Sequence, residues 1–330
     1  MEHPITEEIT GIDLVEQQIL IAAGYPLSFK QKDVKIRGHS AEYRVYAEDP
    51  ARKFLPSIGF LKKYREPEPH QNIRIDTGVQ EGSEISMYYD PMISKLITWG
   101  KDRKEALSLL ANAMDEYVIR GVTHNVGFGR SILRNKDFAG GSYTTAFIPT
   151  YYPTGFRGDP LDESDHQQLA VSAHYLKNLY AGFNNNAQNK TLYVSLHQGD
   201  EETDYRVDQT EKGFTLTNLS TNKAVEINAS DFELRYGALL RFNQGNEKRI
   251  VQFLEARDNL HFGFYYKGNT LDLQVYDEHQ YPLKQFMAKP KKVDYGKSIL
   301  SPMPGSIVSV SVEVGQTVTE GQELLIVEAM

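Results

Sequence analysis

The sequence predicts an α+β chain of more than one domain: a mixed α/β part, then an antiparallel β part built about one helix, then a short β segment. Three observations predict it. Before residue 150, two capping-box helices are interleaved with short alternating apolar runs. The stretch YYPTGFRGDPLDESD, Tyr151 to Asp165, gathers Pro, Gly and Asp into a boundary. Beyond it, one apolar-striped helix is followed by eight strand candidates between Leu192 and Leu283.

In the first part, DLVEQQILIAAG pairs Asp13 with Glu16 as a capping box and places Val15, Ile19 and Ala22 at helical spacing, with Gly24 and Pro26 as stops. This predicts an amphipathic helix. The segments VKIRGH, SAEYRVYAED, SIGFLKKY, NIRIDTGV and MISKLITWG run apolar or alternate between breakers, and predict strands. Asp102 and Glu105 open a second helix, whose face is traced by Ala106, Leu110, Met114 and Tyr117 up to Gly121. A further helix is expected around Val126 to Asn135.

In the second part, His166 to Phe183 sets Leu169, Ala173, Leu176, Tyr180 and Phe183 on one stripe, and NNNAQNK ends the helix. Turns at GDEE, EKG, TNK, YGA, QGNEK, RDN and YKGN then separate the strands, a rhythm that predicts an antiparallel barrel filled by the helix. The tyrosine-rich pieces YYPTGF and FGFYYKG are open to two readings, core packing or contact surface for a partner. After a basic linker, AKPKKVDYGKS, the final segment has short strands separated by Pro-Gly, Val-Gly and Glu-Gly turns.

Composition narrows the function. The 330 residues are 40% hydrophobic and 24% charged, which is ordinary for globular domains. With 36 basic and 44 acidic residues the net charge is -8, so nothing electrostatic favours nucleic acid or an anionic membrane. There is no cysteine, which excludes disulfides, thiolate metal sites and a cysteine nucleophile. No apolar run reaches the roughly 18 residues of a membrane span. The first residues, MEHPITEEITG, lack the basic leader and apolar core of a targeting peptide and read as the middle of something longer. No phosphate-cradling glycine loop, HExxH or GxSxG element occurs, and the nine histidines show no metal-ligand spacing.

Four stretches carry a resemblance instead. EHPITEEITGIDLVEQQILIAAG, Glu2 to Gly24, resembles the segment that closes the catalytic lobe of biotin carboxylases. GHSAEYRVYAEDP resembles that family's arginine-bearing strand, and FLPSIGFL with YYDPMISKLITWG resembles the rest of its C-terminal domain. Within the family, DTGVQEGSEIS and YVIRGVTHN look like the α subunit of the propionyl-CoA carboxylases. The helix-plus-β region sits where that subunit has its carboxyltransferase-interacting domain. SPMPGSIVSVSVEVGQTVTEGQELLIVEAM resembles the first half of a biotinyl domain up to the Glu-Ala-Met that precedes the modified lysine.

The resemblance implies the remnant of an ATP-grasp biotin carboxylase over 1–150, a carboxyltransferase-interacting β-barrel with a central helix over 151–290, and a linker with half of a biotinyl β-barrel over 291–330. It implies that Glu2 is the base that deprotonates bicarbonate, a role for an ionised carboxylate near positive neighbours. It implies that Arg44 stabilises the ureido enolate of biotin, which suits a planar, permanently charged donor fork. A strand arginine paired with Glu42 or Glu48 is the alternative. Asp90 is expected to support the biotin pocket, or else to initiate a turn before Pro91. Pro302, Met303, Pro304 and Gly305 would shape the entry to the biotinyl domain, with Gly315 and Gly321 in its turns.

The implied parent is a ligase that uses biotin, with ATP and Mg, to carboxylate propionyl-CoA from bicarbonate in a hetero-oligomer with a carboxyltransferase β subunit. The compartment would be the mitochondrial matrix in a eukaryote and the cytoplasm in a bacterium. The ATP site and the attachment lysine are expected to lie outside this chain, which alone should be inactive. Two other readings stand beside it: a non-catalytic assembly module that binds the β subunit, and a parent of the methylcrotonyl-CoA or acetyl-CoA type.

Overall fold

The structure is a computed structural model that describes residues 3–86, 88–183, 190–198, 201–236, 239–244, 247–287, 301, 305–319 and 321–328. Two compact units divide the chain, one formed by Met1–Arg157 and Val293–Met330, the other by Gly158–Lys292.

The first unit begins with α1 (His3–Thr10) and α2 (Leu14–Ala22). Its strands are β1 (His39–Tyr46), β2 (Glu48–Asp49), β3 (Leu55–Pro56), β4 (Gly59–Phe60), β5 (Lys63–Arg65), β6 (Ile73–Thr77), β7 (Glu84–Ile85) and β8 (Met92–Gly100). Then come α3 (Arg103–Glu116), β9 (Val118–Arg120), α4 (Val126–Arg134), α5 (Lys136–Gly140) and α6 (Phe147–Tyr151). The central sheet is antiparallel in the order β1-β8-β6, because the longest apolar run, MISKLITWG, is the one that can be buried on both sides. Val45, Ile93 and Leu96 of this sheet share one core with Leu110, Met114 and Tyr117 around α3.

Both predicted caps form, since Asp13 Oδ1 accepts from Glu16 N at 2.8 Å and Asp102 Oδ1 from Glu105 N at 2.9 Å. The stripe on α3 is buried as expected. That of α2 is not: Val15, Ile19 and Ala22 are exposed, whereas Gln17 is buried and accepts from Ser28 Oγ at 3.1 Å. The expected strand VKIRGH fails too, because pairing starts only at His39 opposite Gly100 and Ile36 lies exposed. Gly38 turns the chain into β1 at φ +65, where a Cβ would fall 2.3 Å from the Gly100 carbonyl oxygen.

The second unit holds α7 (Glu163–Phe183) and nine strands: β10 (Thr191–Gln198), β11 (Glu201–Gln209), β12 (Gly213–Asn218), β13 (Ala224–Asn228), β14 (Phe232–Arg235), β15 (Leu239–Gln244), β16 (Glu247–Ala256), β17 (His261–Tyr266) and β18 (Asn269–Tyr276). All pair antiparallel in the order β13-β12-β11-β10-β18-β17-β16-β15-β14. The count is nine rather than the predicted eight. The sheet curls until it nearly closes: the Phe232 ring of β14 lies 5.6 Å from the Phe214 ring of β12, across the seam where β13 and β14 meet no third strand. Leu169, Val171, Ala173 and Leu176 of α7 lie in one core with Val194, Val207, Leu240, Val251, Phe264 and Leu273 of the sheet.

Two details correct the stripe reading. Tyr180 is exposed, and the side chain of Phe183 lies outside the described residues. The tyrosine-rich piece FGFYYKG is core, with Phe262, Phe264 and Tyr266 buried; in YYPTGF, Phe156 is buried and Tyr151 exposed. A 3-10 turn, Tyr281–Phe286, ends this unit by stacking Tyr281 on Tyr193 at 4.3 Å and setting Lys284 Nζ on Asp204 at 2.7 Å.

Near the C-terminus, β19 (Ser306–Val310) pairs antiparallel with β20 (Leu325–Glu328). Gly315 and Gly321 have φ of +91 and +85, as tight turns require. Pro302, Met303 and Pro304 lie outside the described residues, as do Ala329 and Met330.

Candidate functional site

Arg44 sits in the middle of β1, opposite Lys95 of β8. Its neighbour Tyr43 points to the other face, where its hydroxyl donates to the Asn125 carbonyl oxygen at 2.7 Å. The Asn125 side chain then straps the strand: Nδ2 donates to the Arg44 carbonyl oxygen at 3.2 Å, and Oδ1 accepts from Tyr46 N at 2.9 Å. Asn125 was legible only as part of THN, with no role attached. Just past Arg44 the register with β8 shifts between Val45 and Tyr46, an irregularity of the kind that re-aims side chains next to sites.

The guanidinium of Arg44 is held by Glu42, two residues back on the same face. Nε lies 3.3 Å from Glu42 Oε1, with the arginine side chain 36% exposed and the glutamate 6%. Glu42, one of the two carboxylates expected beside Arg44, is in contact with it. Glu48 instead lies within the field of Asp90; burial, and then the Asp90 charge, hold its carboxyl above the usual carboxylate range. Asp90 itself is exposed, and its Oδ1 accepts from Met92 N at 3.0 Å, the hydrogen bond expected of a turn aspartate before proline.

Helix α1 is fixed through Glu7 to β6. Glu7 of α1 accepts from Arg74 Nη1 of β6 at 2.7 Å and from Leu14 N at 2.9 Å, while Arg74 also donates to Asp76 from Nε and Nη2 at 2.8 and 2.9 Å. Burial raises the Glu7 carboxyl, but Arg74, Leu14 N and His3 outweigh it and leave it below the usual range. Helix α1 packs on β1, the strand of Arg44. Glu2, the residue before this helix, lies outside the described residues.

A guanidinium on a sheet face suits the oxygen of a cyclic urea, and Glu42 Oε2 beside it is buried with no hydrogen-bond partner among the described residues. The guanidinium therefore fits the oxygen of a ureido group. Among the described residues no group of three His, Cys, Asp or Glu could hold a metal ion.

Comparison with known proteins shows what the chain is similar to. Residues 42–150 match the biotin carboxylase C-terminal domain, residues 297–330 the biotin-requiring enzyme family, and residues 1–30 the ATP-binding domain of the carbamoyl-phosphate synthase L chain. The mitochondrial propionyl-CoA carboxylase α chain of Mus musculus is 38% identical over 338 residues, covering 100% of this chain and 47% of the relative. The mitochondrial methylcrotonoyl-CoA carboxylase subunit α of Dictyostelium discoideum is 35% identical over 351 residues, covering 100% of this chain and 49% of the relative. The biotin carboxylase domain of a thermophilic 2-oxoglutarate carboxylase, solved with bicarbonate, is 39% identical over 47% of this chain and 34% of its own, at a TM-score of 0.45. The chain spans about half the length of the curated relatives it matches. No helix among the described residues is long and apolar enough to cross a membrane. Over its whole length, this chain is homologous to the α chain of propionyl-CoA carboxylase, and it carries matches to the biotin carboxylase C-terminal and biotin-requiring enzyme families.

Proposed function

We propose that this chain supplies the biotin-facing part of the biotin carboxylase subunit of a propionyl-CoA carboxylase. The observation that carries the reading is the half-exposed Arg44, fixed by Glu42 and by Asn125 within the region that matches the biotin carboxylase C-terminal domain. Arg44 would hold the ureido oxygen of biotin, where a preorganised, permanently charged donor favours negative charge. Glu2 takes the proton of bicarbonate, and Asp90 shapes the same end of the pocket through the turn at Pro91. Biotin, when bound, accepts and carries the carboxyl group, which is chemistry that no side chain here supplies. ATP activates bicarbonate in the whole subunit, and the 330 residues alone are expected to be inactive. The domains divide near 150 and 290, with 151–290 holding the carboxyltransferase β subunit in a hetero-oligomer, in the mitochondrial matrix or the bacterial cytoplasm. Propionyl-CoA is favoured over methylcrotonyl-CoA or acetyl-CoA by the higher identity to propionyl-CoA carboxylase chains, 38% against 35% for a methylcrotonoyl-CoA carboxylase subunit.

The test is Arg44→Ala in a full-length carboxylase that carries this sequence. Biotin carboxylation is expected to fall by about 10²–10³ while ATP and bicarbonate binding hold. Turnover within about threefold of normal, roughly 0.7 kcal/mol of barrier, would remove Arg44 from the mechanism.

A second reading, a module that only assembles the complex, is favoured by one observation: the nine-stranded sheet and α7 enclose a core of their own. It predicts capture of the β subunit at equal strength by the wild type and by Arg44→Ala.

A further inference from the structure

We infer that Glu42 is a positioning residue for Arg44, setting the plane of the guanidinium toward the ureido oxygen; this rests on the carboxylase reading given above. Glu42 and Arg44 are two apart on β1 and so share a face, and the contact is made at Nε, the atom nearest the flexible stem. Fixing Nε fixes the planar fork that follows it. Arg44 also stands opposite Lys95. Like charges opposed across an antiparallel pair repel, and the Glu42 carboxylate offsets that on the arginine's own strand.

Stability does not account for the arrangement. Only 6% of the Glu42 side chain is exposed, and Oε2 is buried with no hydrogen-bond partner among the described residues. An unsatisfied charged oxygen opposes folding. Such a carboxylate serves orientation at the expense of stability.

The experiment compares Glu42→Gln, Glu42→Asp and Arg44→Ala in the full-length, ATP-competent carboxylase, reading biotin-dependent turnover, biotin-independent ATP turnover and Tm. Glu42→Gln is expected to lower biotin-dependent turnover about ten- to a hundredfold, as small misplacements at reacting centres do, with ATP turnover unchanged and Tm unchanged or raised. Glu42→Asp should recover part of the loss, since it restores the charge. If Arg44→Ala is inactive and Glu42→Gln is within twofold of wild type, the positioning role is overturned and the carboxylase reading stands. If Glu42→Gln lowers Tm and both turnovers alike, the role is structural and the inference is also overturned. Full activity in Arg44→Ala removes Arg44 from the mechanism, and the inference with it. In the 330-residue chain, Glu42→Ala should speed solvent exchange of the Arg44 Nε proton in NMR spectra that show the fold intact; unchanged exchange counts against the inference.

Discussion

Asp165 of α7 accepts from Lys267 Nζ at 2.6 Å although none of its own surface is exposed. Tyr266 Oη donates to it at 2.8 Å, and Arg249 Nη1 lies 3.3 Å away. One carboxylate thereby ties the start of the helix to β16 and to the end of β17, and its exchange with Asp162 closes a reciprocal cap at 2.8 and 2.9 Å. Removing one partner of a buried ion pair leaves the others uncompensated, so Asp165→Asn is expected to cost about 3 kcal/mol in denaturant titration. A loss under about 1 kcal/mol would put the cluster with ordinary surface pairs. Burial raises the Asp165 carboxyl, but Lys267, Asp162 N and Tyr266 outweigh it, so the folded value lies below 3.8. The contribution is therefore present above the unfolded value and is lost as pH falls through the folded one.

A buried histidine, His174, and a half-buried one, His124, set a second pH dependence. His174, on α7, faces the Phe214 ring at 5.1 Å, the Lys190 carbonyl oxygen at 3.2 Å and the charge of Asp208; His124 lies beside Asn125. Burial lowers both from 6.5 to about 4, against the Lys190 carbonyl and Asp208 for His174 and helped by the Arg120 charge for His124. The unfolded chain then binds more protons between these values, so stability is full above about 6.5 and falls as pH drops toward about 4. Each site is expected to account for about 3 kcal/mol over that window. Unfolding free energy measured from pH 7 to 4 should lose part of its slope in His174→Gln; an unaltered slope would mean His174 is not the titrating group.

How α4 meets β1 gives a third prediction. A Cβ at Gly129 would fall 2.3 Å from the Tyr43 ring carbon Cζ, so the helix can seat only because that side chain is absent. Tyr43 is anchored by its bond to the Asn125 carbonyl and cannot swing clear. Gly129→Ala is expected to cost about 2 kcal/mol by overpacking, seen as a lowered Tm, and Gly129→Ala with Tyr43→Leu should recover part of it. Additive losses in the double variant would place the strain elsewhere.

These features differ in how far the sequence announced them. Asp13 and Asp102 were legible because a cap is a local bond, formed three residues away whatever surrounds it. The exposed face of α2 was not, since Val15 and Ile19 carry helical spacing but not the identity of what covers them. On α7 the apolar stripe predicted Leu169, Ala173 and Leu176 correctly, yet Asp165, Gln168 and His174 are equally buried and broke the pattern. Their partners, Tyr266 at the end of β17, Lys267 in the turn after it and Lys190 in the bend before β10, lie off the helix and leave no periodic mark. In the candidate site, Arg44 was legible through the resemblance of GHSAEYRVYAEDP, whereas alternation along one strand puts both Glu42 and Glu48 on its face and only the fold selects Glu42. Asn125 reaches β1 from 81 positions away, and only the fold could bring it there.

The C-terminal hairpin yields the last prediction. β19 and β20 form a two-stranded sheet whose Ile307, Val308, Val310, Leu325 and Ile326 are all exposed, whereas Val45, Leu96 and Ile97 of β1 and β8 are wholly buried. Two strands alone are marginal in water, because the apolar area they remove from it does not offset the roughly 1–2 kcal/mol of chain entropy per ordered residue. Opening of such a pair is local and needs no disruption of the larger core. In the 330-residue polypeptide, amides from Ile307 to Val327 are therefore expected to exchange with deuterium far faster than those of β1 and β8. The apolar side chains also make the hairpin the segment most prone to self-association, which should appear as concentration-dependent protection. Protection equal to that of β1 in a dilute, monomeric sample would show the hairpin seated on another surface of the same chain, and the reading of it as an uncovered pair of strands would be wrong.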